Sequence, residues 1–485
     1  MKADFDMVVI GGGTAGLTAA GMSAVLGAKT LLVSDSPLGG DCTWQGCIPS
    51  KSLLKAAKVA HEMRSASKYG LRACDPTHDW AQIMGRVHSI RDHIYREADA
   101  PPNMEKLGVE VLAAHARFID SNAVELTDPR TQAKRVVSSR FFVIATGSRP
   151  RTPKIDGIDC VPVLTNENLF ELKEQPKRLL ILGAGPIGIE MAQAFRRLGS
   201  QVIVNDRGNR ILGRDDAELA GFLEQSLRRE GIDFKLGSEV EKIEPGWAYF
   251  KGGERIPFDA VLAAVGRRPN TDSLHLATAG VEADDKGIHV DKRCRTTRKH
   301  IFACGDVTGK YLFTHMAEHS AKVAVMNAIL HFPSRVDEGR VPWCTFTDPE
   351  LAHVGLSEED LRKRGERFSV YRFPFSKLDR ALTESESDGL VKVSANEQGK
   401  ILGASILGAN AGEMIAEYAL AMKVNAKLSR ISATIHPYPT YAYANRRAAD
   451  IFANKILTPS RARWIQRLFR LRGTSSGILH LDEDV

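Results

Sequence analysis

The chain has 485 residues, 43% of them hydrophobic, and its 66 Lys+Arg against 59 Asp+Glu give a formal charge of +7. That length exceeds a single core, so two to four domains are expected. The charge is mild and no basic stripe interleaves with aromatics, which argues against nucleic acid as a partner. No run of about 18 apolar residues suits a membrane-spanning helix, and the opening MKADFDMVVIGGG has too short an apolar run for a signal peptide. Seven cysteines, an odd and mostly scattered count, speak against a secreted disulfide framework and for the cytoplasm.

In chain order, the first pattern is strand, glycine turn, helix, strand: 5–10, then Gly11-Gly12-Gly13-Thr14-Ala15-Gly16, then 17–26 and 29–33. In such a turn Gly11 makes the tight bend, Gly13 lets the backbone approach a pyrophosphate, and Gly16 permits close helix–strand packing. The helix N-terminus then faces the phosphate charge. Ser34 ends the second strand and Asp35 follows, so either is a candidate for a ribose hydroxyl.

The next segment, GGDCTWQGCIPSK (39–51), places Cys42 and Cys47 five positions apart. Five residues of regular helix rise about 7.5 Å, whereas a disulfide tolerates Cα separations only to roughly 6.8 Å. If these thiols bond, the helix must be broken between them, and Gly46 with Gly39-Gly40 permits that. A bond closed across such an irregular start is more reducible than a structural staple. Once open, a thiol near a helix N-terminus is acidified and reactive. The alternatives are a zinc half-site, for which no two further ligands stand at recognisable spacing, and two unrelated buried thiols.

Residues 109–140 read as a short β meander. The glycine pattern then returns: a strand over 179–182, Gly183-Ala184-Gly185-Pro186-Ile187-Gly188, a helix over 189–198 and a strand over 201–204. Asp206 closes that strand. An acid there favours the free 2′-hydroxyl of NADH, while a base favours the 2′-phosphate of NADPH. Arg207, Arg210 and Arg214 mix the signal, and the balance leans to NADH. Two dinucleotide sites imply two cofactors, one a hydride donor and the other a flavin that accepts the hydride. Near the end, SRARWIQRLFRLRG (460–473) is basic and amphipathic, with Trp464, Leu468 and Leu471 on one stripe. It suits either an anionic membrane surface or, the favoured reading, packing on a dimer.

GGDCTWQGCIPSK resembles the redox-active segment of the FAD-dependent pyridine nucleotide-disulfide oxidoreductases, the family of lipoamide dehydrogenase, glutathione reductase and mercuric reductase. VIATGSRP (143–150) is similar to that family's first crossing between domains, with Thr146 and Gly147. GAGPIGIE (183–190) is similar to its NAD(P)H site and AAVGRRPN (263–270), with Gly266, to the return crossing. IFACGDV (301–307) is similar to the segment whose Asp306 would bind the flavin ribityl chain, and CTFTDPELAHVGLSEEDL (344–361) resembles the start of its dimerisation domain.

The resemblance implies an α/β fold with two Rossmann-like domains, for FAD and NAD(P)H, plus a C-terminal α+β dimerisation domain, acting as a homodimer. The implied boundaries are 1–149 and 270–338 for FAD, 150–269 for NAD(P)H, 339–460 for dimerisation and 461–485 for the tail. It implies that Cys47 is the thiol against the flavin, that Cys42 is the interchange thiol, and that Lys51 and Glu190 pair where the hydride arrives. The family's disulfide reductases carry His-Pro-Thr-x-x-Glu as a proton shuttle acting across the dimer. Here ATIHPYPTYAYANRRAAD (433–450) puts Tyr438 at the His position and Tyr443 at the Glu position, with His436 two residues early. Mercuric reductases share a tyrosine at the shuttle position. Yet this chain shows neither their N-terminal metal-binding domain nor their C-terminal vicinal cysteines.

The expected activity is therefore electron transfer from NAD(P)H through FAD to Cys42–Cys47. The acceptor is a metal ion such as Hg(II) or a disulfide, and no resident metal is expected. The alternatives are a dihydrolipoamide dehydrogenase and a slow redox-responsive flavoprotein docking through 460–473.

Overall fold

The computed structural model describes residues 3–455 and 459–473. The first elements are β1 (Phe5–Ile10), α1 (Thr14–Val25), β2 (Thr30–Ser34), α2 (Gly40–Trp44), α3 (Cys47–Arg64) and β3 (Val109–Ala113). They continue with β4 (His115–Phe118), β5 (Ala123–Thr127) and β6 (Lys134–Ile144). The runs FDMVVI and TLLVS are buried almost throughout, as strands covered on both faces must be. β1 lies parallel between β2 and β6, with Val8 opposite Leu31 and Met7 opposite Phe141. β2 also pairs in parallel with β3, and the strand Ile301–Ala303 pairs in parallel with β6.

The expected meander over 109–140 needs correction. β3 belongs to the parallel sheet, and only β4, β5 and the first half of β6 form an antiparallel meander. The second half of β6 then becomes a central strand beside β1.

The same plan recurs further along. Strands Asp233–Leu236, Gln201–Asp206, Arg178–Leu182, Ala260–Ala263 and Val163–Leu164 form a parallel sheet in that order. The helix Pro186–Arg197 follows the central strand. The two chain crossings lie side by side as an antiparallel pair, Ser148–Pro150 with Arg267–Pro269. These parts form one compact unit: residues up to Arg64, Ala73–Arg207 and Ile232–Asp337.

The other unit comprises Ser65–Arg72, Gly208–Gly231 and the chain from Glu338 onward. It is built on a five-stranded antiparallel sheet in the order Pro342–Thr345, Glu350–Gly355, Ile401–Gly408, Leu390–Ala395, Ser369–Pro374. The helix Ala217–Arg229 joins this unit through charge. Lys392, 6% exposed, binds Asp216 at 2.8 Å, Glu218 at 2.7 Å and Glu358 at 2.6 Å. Burial disfavours the ammonium, but the hydrogen bonds to the three carboxylates outweigh it and hold the Lys392 pKa above its usual value. Asp216 also caps the helix, accepting from the Glu218 and Leu219 N–H groups.

Beside this cluster, Trp343 donates its indole N–H to Asp215 at 2.8 Å. Burial pushes the Asp215 carboxyl up to about 6. The folded state thus binds the proton more tightly than the unfolded chain, and stability is lost as pH rises from the ordinary aspartate range through 6. Asp215→Asn keeps the acceptor for Trp343 and removes the buried charge. It is expected to stabilise the protein by about 1–3 kcal/mol at pH 8 and to have no such effect at pH 4. Denaturant melts at the two pH values check this.

The terminal helix Pro459–Leu468 leaves Trp464 and Leu468 exposed, together with Phe469 and Leu471 beyond it. Among the described residues no helix is long and apolar enough to cross a membrane.

Candidate active site

The two glycine turns superimpose in their chemistry. Gly11 has φ +112° and Gly183 +110°, and a Cβ there would lie 2.3 Å from the Ala145 carbonyl oxygen and 2.4 Å from that of Ala264. A Cβ on Gly16 would meet the Gly11 oxygen at 1.8 Å, and one on Gly188 the Gly183 oxygen at 2.0 Å. These four positions admit only glycine. By contrast, a Cβ on Gly185 would meet nothing within 4 Å, and one on Gly13 only the Gly40 Cα at 3.8 Å. The open space lies where a pyrophosphate needs the backbone bare, at the start of a twelve-residue helix in each case. Both turns fit a dinucleotide.

The strand-end residues are less free. Ser34 is buried and donates its hydroxyl to the Ser36 carbonyl, while Asp35 faces His115 at 3.2 Å. Asp206 accepts the Ala184 N–H at 2.7 Å, so it braces the second turn. Arg207 pairs with Glu239 at 2.9 Å.

The cysteine segment is anchored on the first turn: the Gly39 N–H donates to the Gly12 carbonyl, and a Cβ on Gly40 would lie 2.6 Å from the Gly13 Cα. α2 ends at Trp44, Gln45 and Gly46 break the helix, and α3 starts at Cys47. Cys47 is held down to about 6, first by the hydrogen bond from Cys42, then by Thr314 and the charge of Lys51. Cys42 moves the opposite way, kept protonated by its bond to Cys47 and by burial. When the pair is reduced, this environment favours one thiolate with one thiol donor beside it.

Two groups complete the surroundings of Cys47. Lys51, one turn along α3, binds the buried Glu190 at 2.8 Å, joining α3 to the helix of the second nucleotide half. Thr314, at the start of the helix Thr314–Ala328, places its hydroxyl 3.3 Å from the Cys47 sulfur. When the sulfur is ionised, that hydroxyl is the donor. Thr314→Val is expected to move the Cys47 thiolate titration to higher pH by roughly one pH unit, read by ultraviolet thiolate absorbance of the reduced protein. An unchanged titration would mean the hydroxyl bonds elsewhere.

The crossings converge beside this pair. Thr146 donates to the Asn270 carbonyl, and Gly147, at φ +69°, accepts the Asn270 N–H. Gly266, at φ +112°, precedes Arg267. Arg267 binds Asp41 at 2.5 Å, stands 3.8 Å from Asp306 and donates to Ser148. Ser148 in turn donates to Asp306 at 2.7 Å. Burial raises the Asp306 and Asp41 pKa values, against the pull of Ser148 on the first and of Arg267 on the second. The sequence reading missed Arg267, Asp41 and Thr314. A basic residue in a crossing motif and an acid next to one of the paired cysteines were visible signals for the first two. Thr314 meets Cys47 across 267 positions and left no local sign.

The remaining pair lies in the second unit. The Tyr438 hydroxyl donates to Asp379 at 2.6 Å, and that bond to a carboxylate holds its pKa above the usual tyrosine value. Tyr443 packs edge-on to Tyr438 at 5.8 Å. His436 has both ring nitrogens engaged, with the Thr434 carbonyl at 3.0 Å and Glu417 at 2.9 Å.

Residues 5–327 match the family model described as pyridine nucleotide-disulphide oxidoreductase, and 341–449 match the dimerisation domain of the same family. A mercuric reductase of Lysinibacillus sphaericus is 32% identical, the alignment covering 93% of this chain and 83% of that protein. A dihydrolipoyl dehydrogenase of Thermus scotoductus is 36% identical over 92% and 97%. Among solved structures, the Cu(II) complex of HOCl-induced flavoprotein disulfide reductase RclA from Escherichia coli superimposes with a TM-score of 0.82. It is 28% identical and the match covers 93% of this chain and 100% of that one. The chain belongs to the pyridine nucleotide-disulphide oxidoreductase family, and its cofactors are FAD and NAD(P)H.

Proposed function

We propose that the enzyme reduces a soft metal ion, with Hg(II) as the type case, at the expense of NAD(P)H. FAD supplies the two-electron link between nicotinamide and disulfide. Cys47 and Cys42 open to a dithiol, and their sulfurs hold the cation while it accepts two electrons, a step that needs thiolate ligands and no proton shuttle to a leaving sulfur. Lys51, oriented by Glu190, provides the fixed positive charge near the hydride-accepting centre. Gly11, Gly13 and Gly16, with Thr146, Gly147 and Asp306, cradle FAD; Gly183, Gly185 and Gly188, with Asp206, Arg207 and Gly266, cradle the nicotinamide nucleotide. The RclA relative is described with Cu(II), another ion with affinity for nitrogen and sulfur ligands.

The observation that carries this reading is Tyr438. It stands where disulfide reductases place their imidazole, and Asp379 drives its hydroxyl further from ionising at neutral pH. His436, tied to Thr434 and Glu417, is a structural element of the loop in this reading. We take the working form to be a cytoplasmic homodimer through the dimerisation domain, with Trp464, Leu468 and Leu471 covered in it.

Anaerobic NADH and NADPH oxidation, with Hg(II) plus excess thiol compared against lipoamide and glutathione disulfide, tests the proposal. Turnover with Hg(II) that exceeds both disulfides supports it. Turnover confined to a disulfide overturns it and makes His436 the shuttle. Slow turnover with every acceptor, joined to liposome binding that requires 460–473, would make the chain a docking flavoprotein instead.

A further inference from the structure

The first unit contains a second concave site, away from both glycine turns. Asp291 organises it: one carboxylate oxygen accepts the Arg293 and Arg295 N–H groups, and the other takes the Arg295 guanidinium at 2.9 and 3.0 Å. The tight turn so formed aims Arg293 and Arg295 into a cavity of about 370 Å³, which Lys299 and His300 also line. Asn327 ties the adjoining wall to this turn, donating to the carbonyls of Val323, Ser334 and Arg293. That wall carries His331, held at φ +51°, whose ring meets Phe141 edge-on at 6.2 Å.

Charge and place decide what this cavity is for. No Asp or Glu lines it. Arg295 is neutralised by Asp291, whereas among the described residues neither Arg293 nor Lys299 has an ion pair. Two uncompensated cations facing one cavity repel each other until an anion joins them. The cavity sits at the amino end of the strand Ile301–Ala303, whereas the Gly11 turn follows the carboxyl end of β1. It therefore does not belong to the dinucleotide sites. Its volume lies at the lower end of the range for small-molecule pockets, which suits a mononucleotide and excludes a dinucleotide.

We propose that this cavity binds a nucleoside polyphosphate, with Arg293 and Lys299 on the phosphates and the Phe141–His331 wall against the base. Guanidinium and ammonium groups supply charge-assisted bonds to phosphate oxygens, and ring edges favour a planar partner. This assignment is independent of the electron acceptor.

The test is calorimetric titration of the FAD-loaded protein, with NAD⁺ saturating so that the dinucleotide turn is filled. ATP is the first probe and inorganic triphosphate the second. One ATP per chain is expected, tighter than triphosphate, weakened about tenfold or more by the Arg293→Gln, Lys299→Gln double variant, with NADH oxidation unchanged. His331→Ala is expected to erase the preference for ATP over triphosphate. No saturable binding of ATP at millimolar concentration, or binding indifferent to the double variant, overturns the site. Equal affinity of the two probes in the unaltered protein overturns the assignment of the base.

Discussion

Replacing Cys47 with serine is expected to lower NAD(P)H-dependent reduction of any acceptor by roughly three orders of magnitude or more, with FAD content unchanged. The argument rests on ionisation. Cys47 is the thiol that Cys42, Thr314 and Lys51 together hold as thiolate near neutral pH. A serine hydroxyl in the same place stays protonated and cannot form or break a bond to the Cys42 sulfur. Cys42→Ala is expected to stop turnover as well, but for another reason: the Cys47 thiolate loses the hydrogen-bond donor that does most to acidify it, and its titration moves to higher pH. Steady-state assays of both variants, with a thiolate titration of each, separate the roles. Equal titrations in Cys42→Ala and the parent protein would show that the pair is not coupled.

The largest loss of stability is expected from Lys392→Met, about 3–5 kcal/mol, because it leaves the buried Asp216 without a cation among the described residues, while Glu218 and Glu358 keep only Arg372 and Arg362. Two of them, Asp216 and Glu358, are less than a tenth exposed. Methionine matches the lysine stem in length, so a cavity contributes little. Adding Asp216→Asn preserves the helix cap and removes one buried charge, so the double variant is expected to recover part of the loss. Denaturant titrations of the three proteins check this. A single variant within 1 kcal/mol of the parent, about the weight of an exposed pair, would show that solvent reaches the cluster.

Sequence carried the site unevenly, and the reasons are physical. The two turns were legible because each glycine answers a contact only a few residues away: Gly16 against Gly11, Gly188 against Gly183. The helix break between the cysteines was legible because rise per residue and disulfide reach are incompatible. Val109–Ala113 was misread because its half-buried VEVLA pattern suits an antiparallel edge, while the strand that claims it, β2, lies some eighty positions earlier. Lys392 was invisible as a buried residue, since a strand lysine reads as solvated until Asp216 and Glu358 arrive from distant segments. Tyr438 was legible as a departure from the family pattern, but its bond to Asp379 was not.

The acidified Cys47 has a consequence under oxidative stress. A thiolate is the form that peroxides and hypochlorous acid attack, and a sulfur ionised from about pH 6 upward is exposed to them at all physiological pH. Attack yields a sulfenic acid, which a further oxidant would carry irreversibly to sulfinic acid. Cys42, kept as a thiol at hydrogen-bonding distance, condenses with that sulfenic acid and releases water. The product is the Cys42–Cys47 disulfide, the same species NAD(P)H reduces in the turnover proposed above. The asymmetry that makes one sulfur vulnerable thus also makes the injury a step the enzyme already reverses.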